Sequence, residues 1–226
     1  MPDPRGTGRT PPCAVIFDMD GVLVLSSDSH VQVWAEYFDR IGHDPGPDGP
    51  RGVLGRRSVD VLADLHPDMP VAERERTTLQ LEARSDALQV DAPPAIAPGA
   101  ERLLEALAGG SVPLALATSA MRNAVDALLG DLVRHFDAIV TASDVDRGKP
   151  DPAIYRAAAA QLDVAGPRCT VVEDAPAGVR AGRAAGMRVI GVEGTVDRGR
   201  LIEAGAEMVV NGVDRLRVED LCQNVT

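Results

Sequence analysis

Residues 14–23, AVIFDMDGVL, place two aspartates one residue apart at the end of an apolar run, with a glycine directly behind them. A buried strand seldom ends in two carboxylates without compensation, because an unpaired charge in a low dielectric is costly. In an extended segment, residues two apart point to the same face, so Asp18 and Asp20 would stand side by side. That pairing suits covalent catalysis in which one carboxylate is the nucleophile and its neighbour the acid and base. A divalent cation would offset the paired charge, and Gly21 would let the backbone turn tightly beside a ligand. The competing reading is that Asp18 caps a turn and Asp20 is solvated.

A second acidic pair, Glu173 and Asp174, closes a later apolar run in CTVVEDAPAGVRAGRAAG. Carboxylates from two strand ends meeting at one edge of a parallel sheet would form a magnesium site of hard oxygen ligands. Asp174 could instead begin the next helix, with Pro176 in its first turn. Gly178, Gly182 and Gly186 recur every four residues and would let that helix pack closely. Thr118 and Ser119 end VPLALATS ahead of a helix expected near Ala120. Hydroxyls and free helix N–H groups there suit a phosphate oxygen, or serve as an ordinary cap. Lys149, in RGKPDPAIY, is the only lysine in the chain. Held by Pro150, it could neutralise a transferring phosphoryl group, where a loop lysine is by default solvated.

The elements that must position these residues are legible as short apolar runs. They are AVIF (14–17), VPLALAT (112–118), AIVTA (138–142), CTVVED (169–174), MRVIGV (187–192) and MVVNGV (208–213). Helix-length Ala/Leu-rich stretches lie between several of them, at 99–109, 120–130, 152–162 and 177–185. Strands separated by helices read as βαβ units, so the fold class is α/β with a Rossmann-like parallel sheet. Residues 28–94 break the pattern. HVQVWAEYFDRIG and SVDVLADLH have apolar residues at helical spacing, and the acidic, arginine-bearing AERERTTLQLEARSDAL continues it up to the proline-rich DAPPAIAPG. The expected organisation is a flexible tail over 1–12, a core formed by 13–27 and 95–226, and an inserted all-helical domain over 28–94. That insert would sit over the carboxyl ends of the strands, where open α/β sheets bind ligands. GHDPGPDGPRG (42–52) forbids a long helix and reads as a connector.

A chain of 226 residues with 45% apolar residues is long enough for such a core. The net charge of −11 argues against nucleic acid or an anionic membrane surface as a partner, though not against a small anionic ligand at a local metal ion. No apolar run approaches the length of a membrane span, and no secretory segment is evident, so a cytoplasmic location is expected. Cys13, Cys169 and Cys222 match no metal spacing and read as small residues in a reducing cytoplasm. With no coiled-coil stripe or long apolar patch, a monomer is expected.

The order DxDG, a strand ending in Thr, Lys-Pro, then Glu-Asp resembles the haloacid dehalogenase superfamily. Within it, the chain is similar to the branch of small sugar phosphatases and beta-phosphoglucomutase, which carry a helical cap after the first strand. The resemblance spans nearly everything from Cys13 to about Leu221. It implies that Asp18 forms an aspartyl-phosphate, that Asp20 is the general acid and base, and that Thr118 and Lys149 hold the phosphoryl group. It also implies Mg2+ bound by Asp18, the backbone carbonyl of Asp20 and Asp174, with Glu173 beside it. The expected activity is Mg2+-dependent hydrolysis of a small sugar or polyol phosphate.

Departures and details set the alternatives. Many relatives in the family that the chain resembles carry an aspartate where this chain has Leu25, at the hinge into the cap. His30 matches a cap-hinge histidine that faces the site in the mutase and some phosphatases; Trp34, four residues on, reads as cap core. Gly55 with Arg56 and Arg57 resembles the cap specificity loop, so that one arginine would meet the sugar or a second anionic group; two solvated arginines are the alternative. The mutase reading requires extra cationic groups for a second phosphate. Its pattern places a lysine near Met121, where this chain offers Arg122 as an imperfect substitute. A phosphonate hydrolase requires a cap lysine, which is absent, and a dehalogenase lacks the second aspartate. A regulatory module predicts erosion of the motif set, and none is seen.

Overall fold

In the computed structural model the described residues are 13–222, and the tail expected over 1–12 lies outside them. All six apolar runs form strands of one parallel sheet: β1 (Ala14–Phe17), β2 (Leu114–Ala117), β3 (Ala138–Val140), β4 (Cys169–Glu173), β5 (Arg188–Val192) and β6 (Met208–Val210), in the order β3-β2-β1-β4-β5-β6. β1 is central, and the strand order reverses at it, which is where open parallel sheets leave a crevice. Its side chains alternate between two cores. Val15 and Phe17 enter the one shared with Leu114, Leu116 and Val172, while Ala14 and Ile16 enter the one shared with Ala115, Val171 and Tyr155.

The helices follow the sequence in order. α1 (Ser27–Ile41), α2 (Ser58–Leu65) and α3 (Val71–Asp91) come between β1 and the rest of the core. α4 (Ala100–Gly109), α5 (Arg122–Leu129), α6 (Ala153–Gln161), α7 (Pro176–Ala184), α8 (Arg198–Ala204) and α9 (Val218–Leu221) are interleaved with or follow the strands. α1–α3 bury a cluster of their own, in which Trp34, Tyr37, Phe38, Leu62 and Leu81 meet. The Gly/Pro connector holds only one short 3-10 turn, Gly49–Val53. Among the described residues no helix is long and apolar enough to cross a membrane.

Two of the three glycines expected to ease the packing of α7 do so: a Cβ on Gly178 would meet Glu173 Oε1 at 1.5 Å, and one on Gly182 would meet Val189 Cγ2 at 2.8 Å. Gly186 instead follows the helix and turns the chain at φ 76°. The expectation of three unpaired cysteines is not met. Cys13 and Cys222 form a disulfide across a separation of 209 residues, and only Cys169 is free, buried in the core. The sheet causes the meeting: β1 pairs with β4, and Thr170 on β4 donates to the carbonyl of Leu221 at 2.8 Å, which seats the end of α9 beside the start of β1. A pairing of this kind is uncommon in a reducing cytoplasm.

Candidate active site

Strand register brings the acidic motifs together. Phe17 is level with Leu116 on β2 and with Val172 on β4, so the residues that follow all emerge at one edge: Asp18, Thr118, and Glu173 with Asp174. Lys149 enters from the loop before α6, and its ammonium lies 2.9 Å from Asp18 Oδ1 and 2.7 Å from Glu173 Oε1. Asp18, Lys149, Glu173 and Asp174 are each at most 3% exposed.

Glu173 is fully engaged. Oε1 also accepts from the Tyr155 hydroxyl at 2.9 Å, and Oε2 accepts from the backbone N–H of Ala175 at 2.8 Å. The lysine also lies over the Tyr155 ring, 5.2 Å from its centroid. Glu173 therefore fixes the lysine, and it, rather than Asp174, satisfies the backbone ahead of α7. Asp174 accepts from Thr195 Oγ1, which in turn contacts Ser27 Oγ at 2.7 Å. Gly21 turns at φ 74°, and a Cβ there would come within 1.8 Å of Asp174 Oδ2, so only glycine leaves that carboxylate its place.

β1 ends at Phe17, but Asp18 N–H still donates to the carbonyl of Val172 at 3.0 Å and Asp20 bridges to Val24, the turn beginning at Gly21. Both line one cavity, but their partners differ. Asp20 Oδ1 accepts from Ser26 Oγ at 2.5 Å and lies 3.5 Å from His30 Nε2. His30 Nδ1 is 3.3 Å from Ser85 Oγ on α3.

Charge follows from these contacts. Burial pushes the Asp18 carboxyl well above the usual range; Lys149 opposes this, while Glu173 and Asp20 add to it. Asp174 is likewise pushed well up by burial, then by Glu173 and Asp18. Burial would also raise Asp20, yet His30 and Ser26 hold its carboxyl below the usual range. Burial disfavours the charge on Lys149, but Asp18 and Glu173 outweigh it and keep the ammonium charged. Asp18, Glu173 and Asp174 each offer an oxygen within 4.8 Å of the others. One ammonium against three carboxylates leaves an excess that a small dication with oxygen ligands would balance. The residues fit Mg2+, and because both oxygens of Glu173 are taken, Asp18 and Asp174 are the carboxylates left to face it.

The cavity, of about 160 Å3, runs from this edge to the helical insert. Asp18, Asp20, Asp174, Ser119, His30 and Arg56 line it. Thr118 is fully buried behind them, its Oγ1 accepting from Ala120 N at 3.0 Å. Ser119 donates to the carbonyl of Gly55 at 2.9 Å, tying core to insert. α5 starts at Arg122, two residues later than expected. Two of the expected cavity arginines are elsewhere. Arg57 grips Asp60 at 2.7 and 3.0 Å and donates to the carbonyls of Val145 and Asp146 at 3.0 and 2.8 Å, so it fastens the insert to the core. Arg122 is exposed and pairs with Asp126, one turn along its own helix. Leu25 is half-exposed and so replaces no buried anchor, while Trp34 both packs in the insert and lines the cavity.

Tyr155 and Thr195 carry the second layer of contacts and were not legible in the sequence. Tyr155 had a faint signal, as the one polar side chain on the buried face of an alanine-rich helix. Thr195, in a loop, had none.

A family model described as haloacid dehalogenase-like hydrolase matches residues 14–186. The chain is 35% identical over 192 residues to the validoxylamine A 7'-phosphate phosphatase of Streptomyces hygroscopicus subsp. limoneus, covering 84% of this chain and 89% of that protein. It is 32% identical over 214 residues to the beta-phosphoglucomutase of Bacillus subtilis (strain 168), covering 91% and 92%. Among solved structures, a hydrolase from Pseudomonas syringae superposes with a TM-score of 0.80 at 28% identity, covering 89% of this chain and 94% of that one.

Proposed function

The chain belongs to the haloacid dehalogenase-like hydrolases, and from that premise we propose that it hydrolyses a small sugar or polyol phosphate through an aspartyl-phosphate on Asp18. The observation that carries this is the placing of Asp18: buried, held by the single lysine, and facing a cavity that Asp20 and Asp174 share. An oxygen of Asp18 attacks phosphorus and the bond to the ester oxygen breaks. Asp20 gives its proton to the departing alkoxide, then takes one from the water that attacks the acyl-phosphate. Inorganic phosphate leaves and the Asp18 carboxylate is restored. Lys149 and the Thr118 hydroxyl hold the phosphoryl oxygens, with Ser119 next to them, and Glu173 keeps the lysine in place through the transfer. Mg2+, held by Asp18, Asp174 and the backbone carbonyl of Asp20, supplies charge neutralisation at the phosphoryl group. Against burial, His30 and Ser26 hold the resting Asp20 ionised, so it takes up a proton before it serves the alkoxide and is then in the form that accepts one from water.

Residues 28–94 act as the cap, closing the cavity from above through the Ser119–Gly55 and Arg57 contacts. His30 positions Asp20, and Arg56 lines the cavity from the cap side with its guanidinium paired to Asp64. The test is phosphate release with Mg2+ across sugar, polyol and short-chain phosphates, with Asp18→Asn as control. Release abolished in the control, by at least about 10^4-fold, supports the reading. The mutase similarity gives the second reading: isomerisation of beta-glucose 1-phosphate, primed with a trace of the bisphosphate and without net release, would replace the first.

A further inference from the structure

The end of the cavity away from Asp18 carries charge that the chemistry at phosphorus does not use. α3 turns one face towards it, with Glu82, Ser85, Asp86 and Gln89 at helical spacing, and all four line the cavity. Among the described residues neither carboxylate forms an ion pair, although the charge of Asp86 acts on His30 in the same cavity: despite burial, Asp20 and then Asp86 raise its imidazole above the usual range. Arg84, between them in sequence, is spent on Glu36 at 2.9 Å. Arg56, the arginine that lines the cavity, is committed to Asp64 at 2.6 Å, and His30 to Asp20 and Ser85. Burial, and then the charge of Asp86, raises the Glu82 carboxyl above its usual range; Glu82 is partly buried and Asp86 lies exposed at the cavity mouth. The neighbouring wall is apolar, formed by Val33, Trp34, Leu81 and Leu128, which strengthens charge interactions inside.

The occupant of this end is the alcohol portion of the ester. A second phosphate or a carboxylate would meet like charge there. Neutral hydroxyls would satisfy the oxygen acceptors and leave the charge as it is. A protonated amine does both, donating to the carboxylates and balancing them. We infer that Glu82 and Asp86 select phosphate esters whose polyhydroxylated alcohol portion carries a cationic amine. The inference rests on the phosphatase reading and deepens it.

The experiment compares kcat/KM for three esters alike except at C2, glucosamine 6-phosphate with a cationic amine, glucose 6-phosphate with a hydroxyl and N-acetylglucosamine 6-phosphate with a neutral acetamide, with fructose 1,6-bisphosphate and p-nitrophenyl phosphate alongside. The amine ester should lead its two counterparts by about tenfold or more, with the bisphosphate poorest. In Glu82→Gln/Asp86→Asn that ratio should fall towards one, and Glu82→Lys should turn the preference towards the bisphosphate. Equal rates for the three matched esters in the wild type, or a ratio unmoved in folded variants, would overturn the inference while leaving the phosphatase reading intact. Silence on every ester, p-nitrophenyl phosphate included, would overturn both.

Discussion

Adding Mg2+ to the metal-stripped protein should raise its melting temperature by several degrees, and Asp174→Asn should remove most of that rise. Three carboxylates and one ammonium share the space at the strand ends, within 4.8 Å for the carboxylate oxygens. Asp18 and Asp174 have their carboxyls pushed above the unfolded range, so the folded metal-free state binds protons more tightly than the unfolded chain. Such groups favour folding at acid pH and lose that contribution as pH rises from the unfolded carboxyl pKa through the raised one. As pH rises the metal-free protein therefore takes on that penalty, and a dication bound only by the folded state relieves it. At a hundred times its dissociation constant, the ion stabilises by about 2.7 kcal/mol. For a chain of this size that corresponds to roughly 5–11 °C. The assay is thermal unfolding in EDTA against MgCl2 at matched ionic strength, repeated in mildly acid buffer, where the rise should shrink. No rise with Mg2+ at neutral pH, or an equal rise in Asp174→Asn, would refute the charge argument.

Gly21→Ala should weaken Mg2+ binding and destabilise the fold by more than the roughly 1–2 kcal/mol of a left-handed backbone, since the new Cβ would come 1.8 Å from Asp174 Oδ2; unfolding in urea with and without Mg2+ reads both. Arg57→Ala removes the fastening between cap and core, and about a tenfold drop in kcat/KM is expected for esters that fill the cavity, with a smaller drop for acetyl phosphate. Thiol titration should find no reactive cysteine in the native protein at pH 8, because burial pushes the Cys169 thiol up to about 11. Under denaturing conditions one should react without reductant and three after reduction, and three without reductant would remove the disulfide.

The strands and the meeting of DMDG with Glu173-Asp174 are legible because apolar runs and strand ends are local properties of a sequence, whereas the places of Thr118 and Lys149 followed from the resemblance. Partnerships across the fold are not legible. Nothing local tells that Glu173 is consumed by Lys149, Tyr155 and a backbone N–H, leaving Asp174 to face the cavity. Arg56 and Arg57 are adjacent in sequence, yet one lines the cavity and the other grips the core, a choice set by where the 142–146 loop offers carbonyls. Cys13 and Cys222 meet only because β4 lies beside β1. Glu82 and Asp86 read as part of a charged helix until α1 and α2 decide which face of α3 meets the cavity.

The alternation of β1 between two unlike cores makes the position of Asp18 a matter of parity. Deleting one residue from 14–17 would send Phe17 into the side now filled by Ile16 and turn the following aspartate to the wrong side of the sheet. Insertions in the loop at 42–48 leave that count untouched. Length variation in this chain should therefore be tolerated in the connector and lethal to the proposed activity in the four residues before Asp18, however conservative the residue lost.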